Sequence, residues 1–313
     1  MVSTTADITS IRTDPAGFFN NTISEYIATS PSNVMPGFNG EPIWDKPLVG
    51  FADGDDPVFQ EYKAIIGQFH LTPREAMERH LGKITRGYST PPHISVISFI
   101  LPSTRATRES MRKETRVCSL RWNYTRHYGQ EVINRLSRYL VAVLEGAGYH
   151  AIAPDLERFF EVKRDDPKKA ASTWSQRHIA YAAGLGTFSL NDALITPRGI
   201  SIRAGSIVCN LTVKPTPRLY KNHLENCLFY RDGKCGKCIQ RCPAGALSEK
   251  GHDKEKCRNY LNEGMRAAAK ELGRDEEFVG AYMGCGFCQT RVPCEEGIPP
   301  SASRAGNANS KLD

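Results

Sequence analysis

Eight of the ten cysteines in this 313-residue chain lie between residues 227 and 294, and their spacing constrains the fold more than any other feature. The first group reads C-x7-C-x2-C-x3-C-P and ends at Cys242 and Pro243. The second reads C-x2-C-x5-C from Cys285 to Cys294, and Cys257 lies between the two groups. Short C-x2-C turns deliver two sulfurs from one loop, and eight thiolates suffice for two 4Fe-4S clusters. The sequence therefore predicts a C-terminal region that folds around two clusters.

The spacing also predicts which cysteines share a cluster. In the bacterial ferredoxin pattern C-x2-C-x2-C-x3-C-P, the fourth cysteine ligates the other cluster. The core from Cys235 to Pro243 fits this pattern, although the gap that precedes it is longer. Because Pro243 restricts the backbone, Cys242 is expected to point away from the first loop. If the ferredoxin rule holds, the two sets are Cys227, Cys235, Cys238 and Cys294, and Cys242, Cys257, Cys285 and Cys288.

Two other arrangements compete for clustered cysteines, a disulfide framework and structural zinc sites. The polar stretch from Met1 to Ser10 lacks the apolar core of a secretory signal, which argues against disulfides. The C-x2-C-x3-C-P core and the single intervening Cys257 suit cubane clusters better than zinc. Cys118 and Cys209 stand outside the array, and a lone cysteine on an apolar strand is typically a small core residue.

Composition limits the location and the partners of the chain. No apolar run approaches the length of a membrane span and no lipidation or export motif is evident, so we expect a cytoplasmic protein without a membrane partner. A net charge of +7 is modest and suits an acidic electron donor or a nucleic acid. The densest basic stretch, 105–116, is more typical of a solvated helix face than of a phosphate-binding site.

Alternating helical and strand patterns before the cysteines predict a layered α/β core. The predicted helices cover 14–30, 57–68, 73–80, 130–146 and 175–183. The predicted strands cover 93–101, 149–153, 193–196 and 201–211, and Pro215-Thr216-Pro217 is predicted to be a linker.

We therefore expect an α+β chain with four regions. Residues 1–90 form an N-terminal helical or irregular segment that packs on the core, 91–218 the α/β core, 219–300 the two-cluster domain, and 301–313 a flexible tail.

The order of several short motifs resembles the family of epoxyqueuosine reductases and reductive dehalogenases. Ala182-Ala183-Gly184-Leu185-Gly186 is followed by Asn191, by Leu194-Ile195-Thr196-Pro197 and by Gly205-Ser206-Ile207-Val208, as in the cobalamin-binding core of that family. Cys235-Gly236 through Leu247 is similar to its first cluster motif. Later matches are Cys257-Arg258-Asn259-Tyr260-Leu261 and Gly284-Cys285-Gly286-Phe287-Cys288-Gln289.

The resemblance implies a nitroreductase-like α/β core that holds a base-off cobalamin, joined to a ferredoxin-like module with two 4Fe-4S clusters. Electrons would pass through the clusters to the corrinoid, whose own chemistry carries the reduction. Reduced ferredoxin or flavodoxin would be the electron donor. The residues implied for cobalamin binding are Gly184, Leu185, Gly186, Asn191, Thr196, Gly205 and Ser206.

The proton donor is where the chain departs from the resemblance. Epoxyqueuosine reductases carry an acidic residue about a dozen positions before the AGLG motif, and this chain has Ala171 there. A reduction still needs a proton near the substrate, and the candidates are Ser172, His178 and Tyr181. His178 and Tyr181 are three residues apart and share a helix face. The alternative is that these residues only pack the helix on the core.

Three functional hypotheses follow. The first is an iron-sulfur and cobalamin-dependent reductase that acts on an unidentified substrate by epoxyqueuosine-like or dehalogenase-like chemistry, with a small molecule favoured over tRNA. The second is a low-potential electron-transfer protein that serves a partner protein or its corrinoid. The third, a nucleic-acid-binding metalloprotein, depends on the positive charge alone.

Overall fold

The computed structural model describes residues 9–84, 90–166 and 170–300, so the predicted tail 301–313 and most of the polar opening lie outside the described residues. The α-helices are α1 Ser10–Thr13, α2 Pro15–Thr29, α3 Val58–Ile65, α4 Pro73–Ile84, α5 Arg105–Arg112, α6 Leu120–Gly146, α7 Gln176–Ala182, α8 Leu228–Asp232, α9 Lys237–Arg241, α10 Lys254–Asn259 and α11 Met265–Glu271. The strands are β1 Leu48–Asp53, β2 Ser95–Pro102, β3 Ala151–Ile152, β4 Val162–Lys163, β5 Ala171–Ser172, β6 Thr187–Phe188, β7 Leu194–Ile195, β8 Ile202–Cys209, β9 Leu247–Ser248 and β10 Gly251–His252. The mixture of helices and strands confirms the predicted α+β class.

The described chain divides into two compact units, each built from separated segments. The first unit comprises residues up to 104, residues 127–185 and residues 203–219. The second comprises residues 105–126, residues 186–202 and residues from 220 onward. The division falls within α6, between Arg126 and His127.

Helix α2 begins and ends close to the predicted bounds, 14–30, because of residues at its two ends. The Asp14 side chain accepts a hydrogen bond from the Gly17 N–H at 3.0 Å, and Pro15 occupies the first turn. An aspartate cap followed by proline is a favourable helix start, because both satisfy or remove amides that have no helical partner. The helix ends before Ser30, whose extended backbone leads into Pro31.

The first unit contains a four-stranded sheet with the order β1-β2-β8-β3. All eight residues of β2 are buried, which agrees with its run of β-branched and aromatic side chains. β1 pairs antiparallel with β2 from Leu48 opposite Ile100 to Asp53 opposite Ser95. The sequence prediction omitted β1, and the predicted linker lies beside this strand. The Thr216 amide donates to the Phe51 carbonyl, and the Phe51 amide donates to the Thr216 hydroxyl.

The helix α6 begins ten residues before its predicted start at Gln130. The polar and aromatic residues 121–128 obscure the apolar periodicity, and Gly129 is a weak helix former. Gly129 is nevertheless required by packing, because a Cβ there would lie 2.5 Å from the Trp44 ring. The Trp44 indole also donates a hydrogen bond to the Gly129 carbonyl at 3.0 Å. A tertiary contact therefore explains what local propensity does not.

The second unit has short elements and two apolar clusters. One cluster contains Trp122, Met265 and Phe287 together with Cys118, and the other contains Ile195, Ile200 and Val292 together with Cys227. A Cβ at Gly286 would lie 2.3 Å from the Trp122 ring, so only glycine allows this approach.

The basic stretch around α5 belongs to this unit, and its interpretation as a solvated face is wrong for one of its arginines. Arg108 is only 8% exposed. Arg112 bonds Glu295 at 2.8 Å and Glu296 at 2.6 Å, and Glu295 is buried. These contacts neutralise charge within the unit. The stretch therefore provides little support for a nucleic-acid interface.

Among the helices of the described ranges, none combines the length and the apolar character required to cross a bilayer.

Candidate metal centre

All eight predicted ligands lie in the second unit, at the ends of short elements. Cys227 precedes α8, Cys238 lies within α9, and Cys242 immediately follows α9. Cys257 lies within α10, and Cys288 lies in a single turn of 3-10 helix. The remaining three, Cys235, Cys285 and Cys294, lie in loops. Such short elements change chain direction often, which lets distant residues converge.

Electrostatic interaction between the thiols divides them into two sets. Cys238 interacts with Cys227 and Cys235, and Cys294 interacts with all three. The same four side chains line one cavity, whose other walls include the apolar side chains of Ile195, Ile200 and Val292. This set is the one that crossed ligation predicts for the first cluster.

The other four thiols form the second set. Cys285 interacts with Cys257 and Cys242, and Cys288 interacts with all three of these cysteines. Cys288 also interacts with Cys238 of the first set, so the two sets are neighbours. The grouping agrees with the predicted crossed ligation, and ligation of iron by these residues stays a prediction.

Burial raises the pKa of several of these thiols. Burial raises the pKa of Cys238 to about 11, and the nearby Cys227 and Cys235 add to this effect. Burial likewise raises the pKa of Cys285 to about 12 and that of Cys288 well above its usual value. Neutral thiols are therefore favoured at pH 7, and metal ligation would displace their protons.

A disulfide framework and structural zinc sites are the alternatives to two clusters for these cysteines. All ten cysteines lie in described segments and are free, so the disulfide framework is not formed. In the described part of the chain, no group of three or more Cys, His, Asp or Glu side chains has the convergence of a single-ion site. The two sets of four thiols fit the ligand number of two 4Fe-4S clusters.

Cationic and polar groups support the cluster loops. Arg241 lies 5.2 Å from the Phe287 ring centroid, interacts with the thiol of Cys285, and donates to the backbone carbonyl of Thr290. The Asn191 side chain donates to the Cys288 carbonyl at 2.8 Å. Cys242 accepts a hydrogen bond from the Ala246 amide at 3.3 Å. These groups would hold the loops and offset thiolate charge around a cluster.

His252 makes the most specific polar contact near the second set. Its Nδ1 lies 3.0 Å from Asp192 Oδ2, and its ring also hydrogen-bonds Cys257. Burial lowers the pKa of His252, but the hydrogen bonds to Asp192 and Cys257 outweigh burial and raise it to about 9. The sequence offered no signal for this contact, because Asp192 and His252 are sixty positions apart.

The glycines that the resemblance assigns to cobalamin have close protein neighbours. A Cβ at Gly184 would lie 2.8 Å from the Pro217 carbonyl oxygen, and one at Gly205 would lie 2.3 Å from the Phe99 ring. At Gly186 the corresponding neighbour is the Ile195 carbonyl oxygen at 2.4 Å. Gly184 also has a φ of +74° after α7, as expected of a helix-terminating glycine. Packing within each unit therefore accounts for these glycines without a cofactor.

The polar residues of that predicted set also have partners within their own units. Thr196 donates to the Gly199 carbonyl at 2.8 Å, which stabilises a turn. Ser206 accepts from the Trp174 indole at 3.0 Å and donates to the Gln176 side chain at 2.7 Å. Leu185 is buried, and Asn191 holds the Cys288 loop as described. Corrinoid binding by these residues stays a prediction that the described contacts do not support.

The three candidate proton donors lie in the first unit, in or before α7. His178 Nδ1 is 2.8 Å from the Ser175 hydroxyl. Ser172 donates to the Trp174 carbonyl at 2.7 Å, which ties it into the local turn. Tyr181 lies on the same helix as His178 and interacts with Tyr62.

The structure adds two aromatic residues to this group that sequence reasoning missed. The Tyr62 hydroxyl donates to the His178 carbonyl at 2.8 Å, and the Tyr62 and His178 rings are 4.9 Å apart. The His70 ring is stacked near Trp174 and is completely buried. Burial, followed by the nearby Lys63 ammonium, lowers the pKa of His70 to about 4. Tyr62 and His70 are more than 100 positions from α7, so no local sequence pattern predicts that they lie beside it.

Comparisons with known proteins agree with the cysteine geometry. Residues 232–295 match the family described as a 4Fe-4S double cluster binding domain, and this range includes seven of the eight predicted ligands. The described chain is therefore a mixed α/β protein with a C-terminal 4Fe-4S double-cluster domain.

The chain is also similar to epoxyqueuosine reductases. It is 31% identical over 163 residues to the epoxyqueuosine reductase of Bacillus anthracis, which is 49% of this chain and 40% of that protein. It is 26% identical over 162 residues to the epoxyqueuosine reductase of Bacillus subtilis, which is 49% of this chain and 39% of that protein. The matched part thus spans about two fifths of these relatives. The predicted resemblance is confirmed at this level.

One solved structure of an epoxyqueuosine reductase with a tRNA-Tyr stem loop matches 94% of this chain and 68% of its own chain. Its sequence identity to this chain is 16% and its TM-score is 0.44.

Proposed function

We propose that this chain is an iron-sulfur oxidoreductase in which two 4Fe-4S clusters supply electrons for a reductive reaction. The observation that carries the proposal is the pair of four-thiol sets within a stretch that matches the double-cluster family. The similarity to epoxyqueuosine reductases supports a reductase over a structural cluster protein. Each cluster would accept and pass on one electron, so two clusters suit the stepwise delivery that a reduction requires.

The residues of the second unit would hold and tune the clusters. Cys227, Cys235, Cys238 and Cys294 would ligate one cluster in the cavity that they line. The second set would ligate the other, with Arg241 offsetting thiolate charge and Asn191 fixing the loop of Cys288. Reduced ferredoxin or flavodoxin is the proposed electron donor.

Cobalamin is the proposed second cofactor, and when bound it would supply the reductive chemistry at cobalt. The order of the AGLG and cysteine motifs supports this part of the proposal, whereas the filled surroundings of Gly184, Gly186 and Gly205 do not. A nitroreductase-like core belongs to the same proposal.

Proton delivery is proposed for the group around α7. His178 and Tyr181 lie on α7, and Ala171, in β5 just upstream of that helix, provides no acid. Tyr62 orients the helix backbone through His178, and its own phenol is held neutral because burial raises its pKa far above its usual value. Tyr181→Phe and His178→Gln should each reduce turnover while iron content is unchanged, and Ser172→Ala serves as the milder comparison.

The substrate proposal has two branches. The name of the relatives makes an epoxyqueuosine-like reaction the first to test. The other proposed substrate is a small molecule, which the sequence analysis favoured over tRNA. Salt-dependent binding of tRNA would support the first branch, because phosphate contacts release counterions.

A second candidate function is electron transfer to a partner protein. The observation that favours it is the internal packing around the glycines assigned to cobalamin. In this case the chain would have two clusters and no substrate of its own.

The deciding experiment is elemental analysis of protein produced and gel-filtered anaerobically with cobalamin supplied. About eight iron and about one cobalt per chain would support the cobalamin-dependent reductase. About eight iron without cobalt would favour the electron carrier. Protein that holds neither metal after anaerobic reconstitution would overturn both proposals.

A further inference from the structure

The His252 ring hydrogen-bonds Cys257, one of the predicted cluster ligands, but is not itself a predicted ligand. His252 ends the short hairpin of β9 and β10, in which it pairs with Leu247. Five residues later Cys257 lies in α10, whose start is fixed by the Asp253 side chain accepting from the Lys256 amide at 3.0 Å. A hairpin and a capped helix thus hold the backbone on either side of this contact.

Asp192 determines which ring nitrogen faces the thiol. Its Oδ2 lies 3.0 Å from His252 Nδ1, and from this we infer that Nε2 is the ring atom in the hydrogen bond with Cys257. Asp192 has a φ of +60°, an uncommon backbone state for a residue other than glycine. Its amide donates to the Ser189 carbonyl at 2.9 Å, which supports that turn. The carboxylate is therefore positioned by the backbone and in turn positions the imidazole.

An iron-bound thiolate can only accept hydrogen bonds, so His252 must be the donor in this contact. Donation to a cluster sulfur removes electron density from it, and this raises the reduction potential of the cluster. Among the described residues, no histidine is one of the groups that most strongly shift the pKa of Cys238 and Cys294 in the first set. The two clusters would therefore be tuned differently.

We propose that His252, oriented by Asp192, is a positioning and tuning residue that raises the reduction potential of the cluster ligated by Cys257 relative to the potential it would otherwise have. This inference rests on the proposed two-cluster function and deepens it, because it names the residues that would tune one of the two clusters. Raising the potential of the Cys257 cluster favours electron transfer to it from the neighbouring cluster.

The experiment is a potentiometric titration, followed by electron paramagnetic resonance, on the full chain reconstituted to about eight iron. In His252→Leu we expect one of the two midpoint potentials to become more negative while the other is unchanged. Asp192→Asn should move the same potential in the same direction by a smaller amount, and asparagine tolerates the backbone of that turn. The affected potential should be the one altered by Cys257→Ser.

A matched control replaces an exposed histidine of the same unit. His223→Leu makes the same chemical change at an exposed position, and it should leave both potentials in place. If His252→Leu holds only one cluster, Asp192→Asn provides the measurement. His252→Gln retains an N–H donor and should leave the potential closer to the wild-type value.

Two results would overturn the inference. One is fully loaded His252→Leu with both potentials unchanged, and the other is an equal shift of both potentials. Wild-type protein that takes up no iron would instead overturn the proposed function, and this inference with it, so iron content measured first separates the two failures.

Discussion

The two units of this chain achieve order in different ways. The first has a sheet with two eight-residue strands, and residues such as Phe99, Ile100 and Leu101 on β2 are completely buried. Around the cysteines, the second has the five-residue helices α8 and α9, two-residue strands, and a longer helical stretch in which a π-helical turn, Tyr260–Gly264, joins α10 to α11. Hydrophobic burial grows with the size of a continuous core, and short elements contribute little of it. The first unit can therefore depend on packing, whereas the second is expected to depend on its metal ligands.

The largest expected effect is that of iron removal. Chelation of oxidised protein should abolish amide protection across the cluster loops, since metal binding and folding are coupled in small metal domains. Strands β2 and β8 of the first unit should retain their slow exchange. Hydrogen exchange with mass spectrometry measures both. Equal loss of protection in both units would contradict the distinction.

Single ligand substitutions sharpen the comparison. Cys288→Ser should reduce iron from about eight to about four per chain, because one cluster loses a ligand while the other keeps all four. Iron analysis after anaerobic reconstitution measures this. Cys209→Ala is the control, because Cys209 is completely buried on β8 of the first unit and outside both sets. Loss of all iron in Cys288→Ser would argue against two separate sets.

A core substitution in the first unit tests the opposite case. Phe99→Ala should cost about 3–5 kcal/mol of unfolding free energy, because a completely buried aromatic ring leaves a cavity. Iron content of the folded fraction should not change. Ile65→Ala, at a side chain that is 67% exposed, should cost less than about 0.5 kcal/mol and serves as the control. Denaturant titration of both variants gives the values.

The smallest expected effect is a pH dependence in the first unit. The folded-state pKa of His70 is about 4, below its ordinary 6.5, because burial disfavours the charged ring. Above pH 6.5 the ring is neutral in both the folded and the unfolded chain, so it does not affect stability. As pH falls from 6.5 toward 4 the unfolded chain binds the proton more readily, and the folded state loses up to about 3 kcal/mol of stability. His70→Gln should reduce this acid sensitivity, and exposed His93→Gln should not. Unfolding at pH 7, 5.5 and 4.5 measures the difference.

Sequence reasoning succeeded where local chemistry decides the outcome. Asp14 and Pro15 predicted the start of α2, and the β-branched run predicted β2. It failed for β1, whose short run contains Gly50 and whose order depends on pairing with β2. It also mistook Arg108 for a solvated residue, because its partners Glu295 and Glu296 lie nearly 190 positions away.

The amino-acid sequence by itself determined that the C-terminal region has eight thiols at cluster spacing, because ligand identity and short loop lengths are local properties. It also carried the resemblance to epoxyqueuosine reductases. The ferredoxin spacing rule also predicted how the eight thiols divide into two sets. Only the tertiary structure decided that Asp192 and His252 meet beside Cys257, and that the Tyr62 hydroxyl donates to the backbone of α7. These contacts join residues far apart in the chain. They form because packing and the satisfaction of buried hydrogen bonds bring whole elements together. Residue spacing along the chain does not predict such contacts.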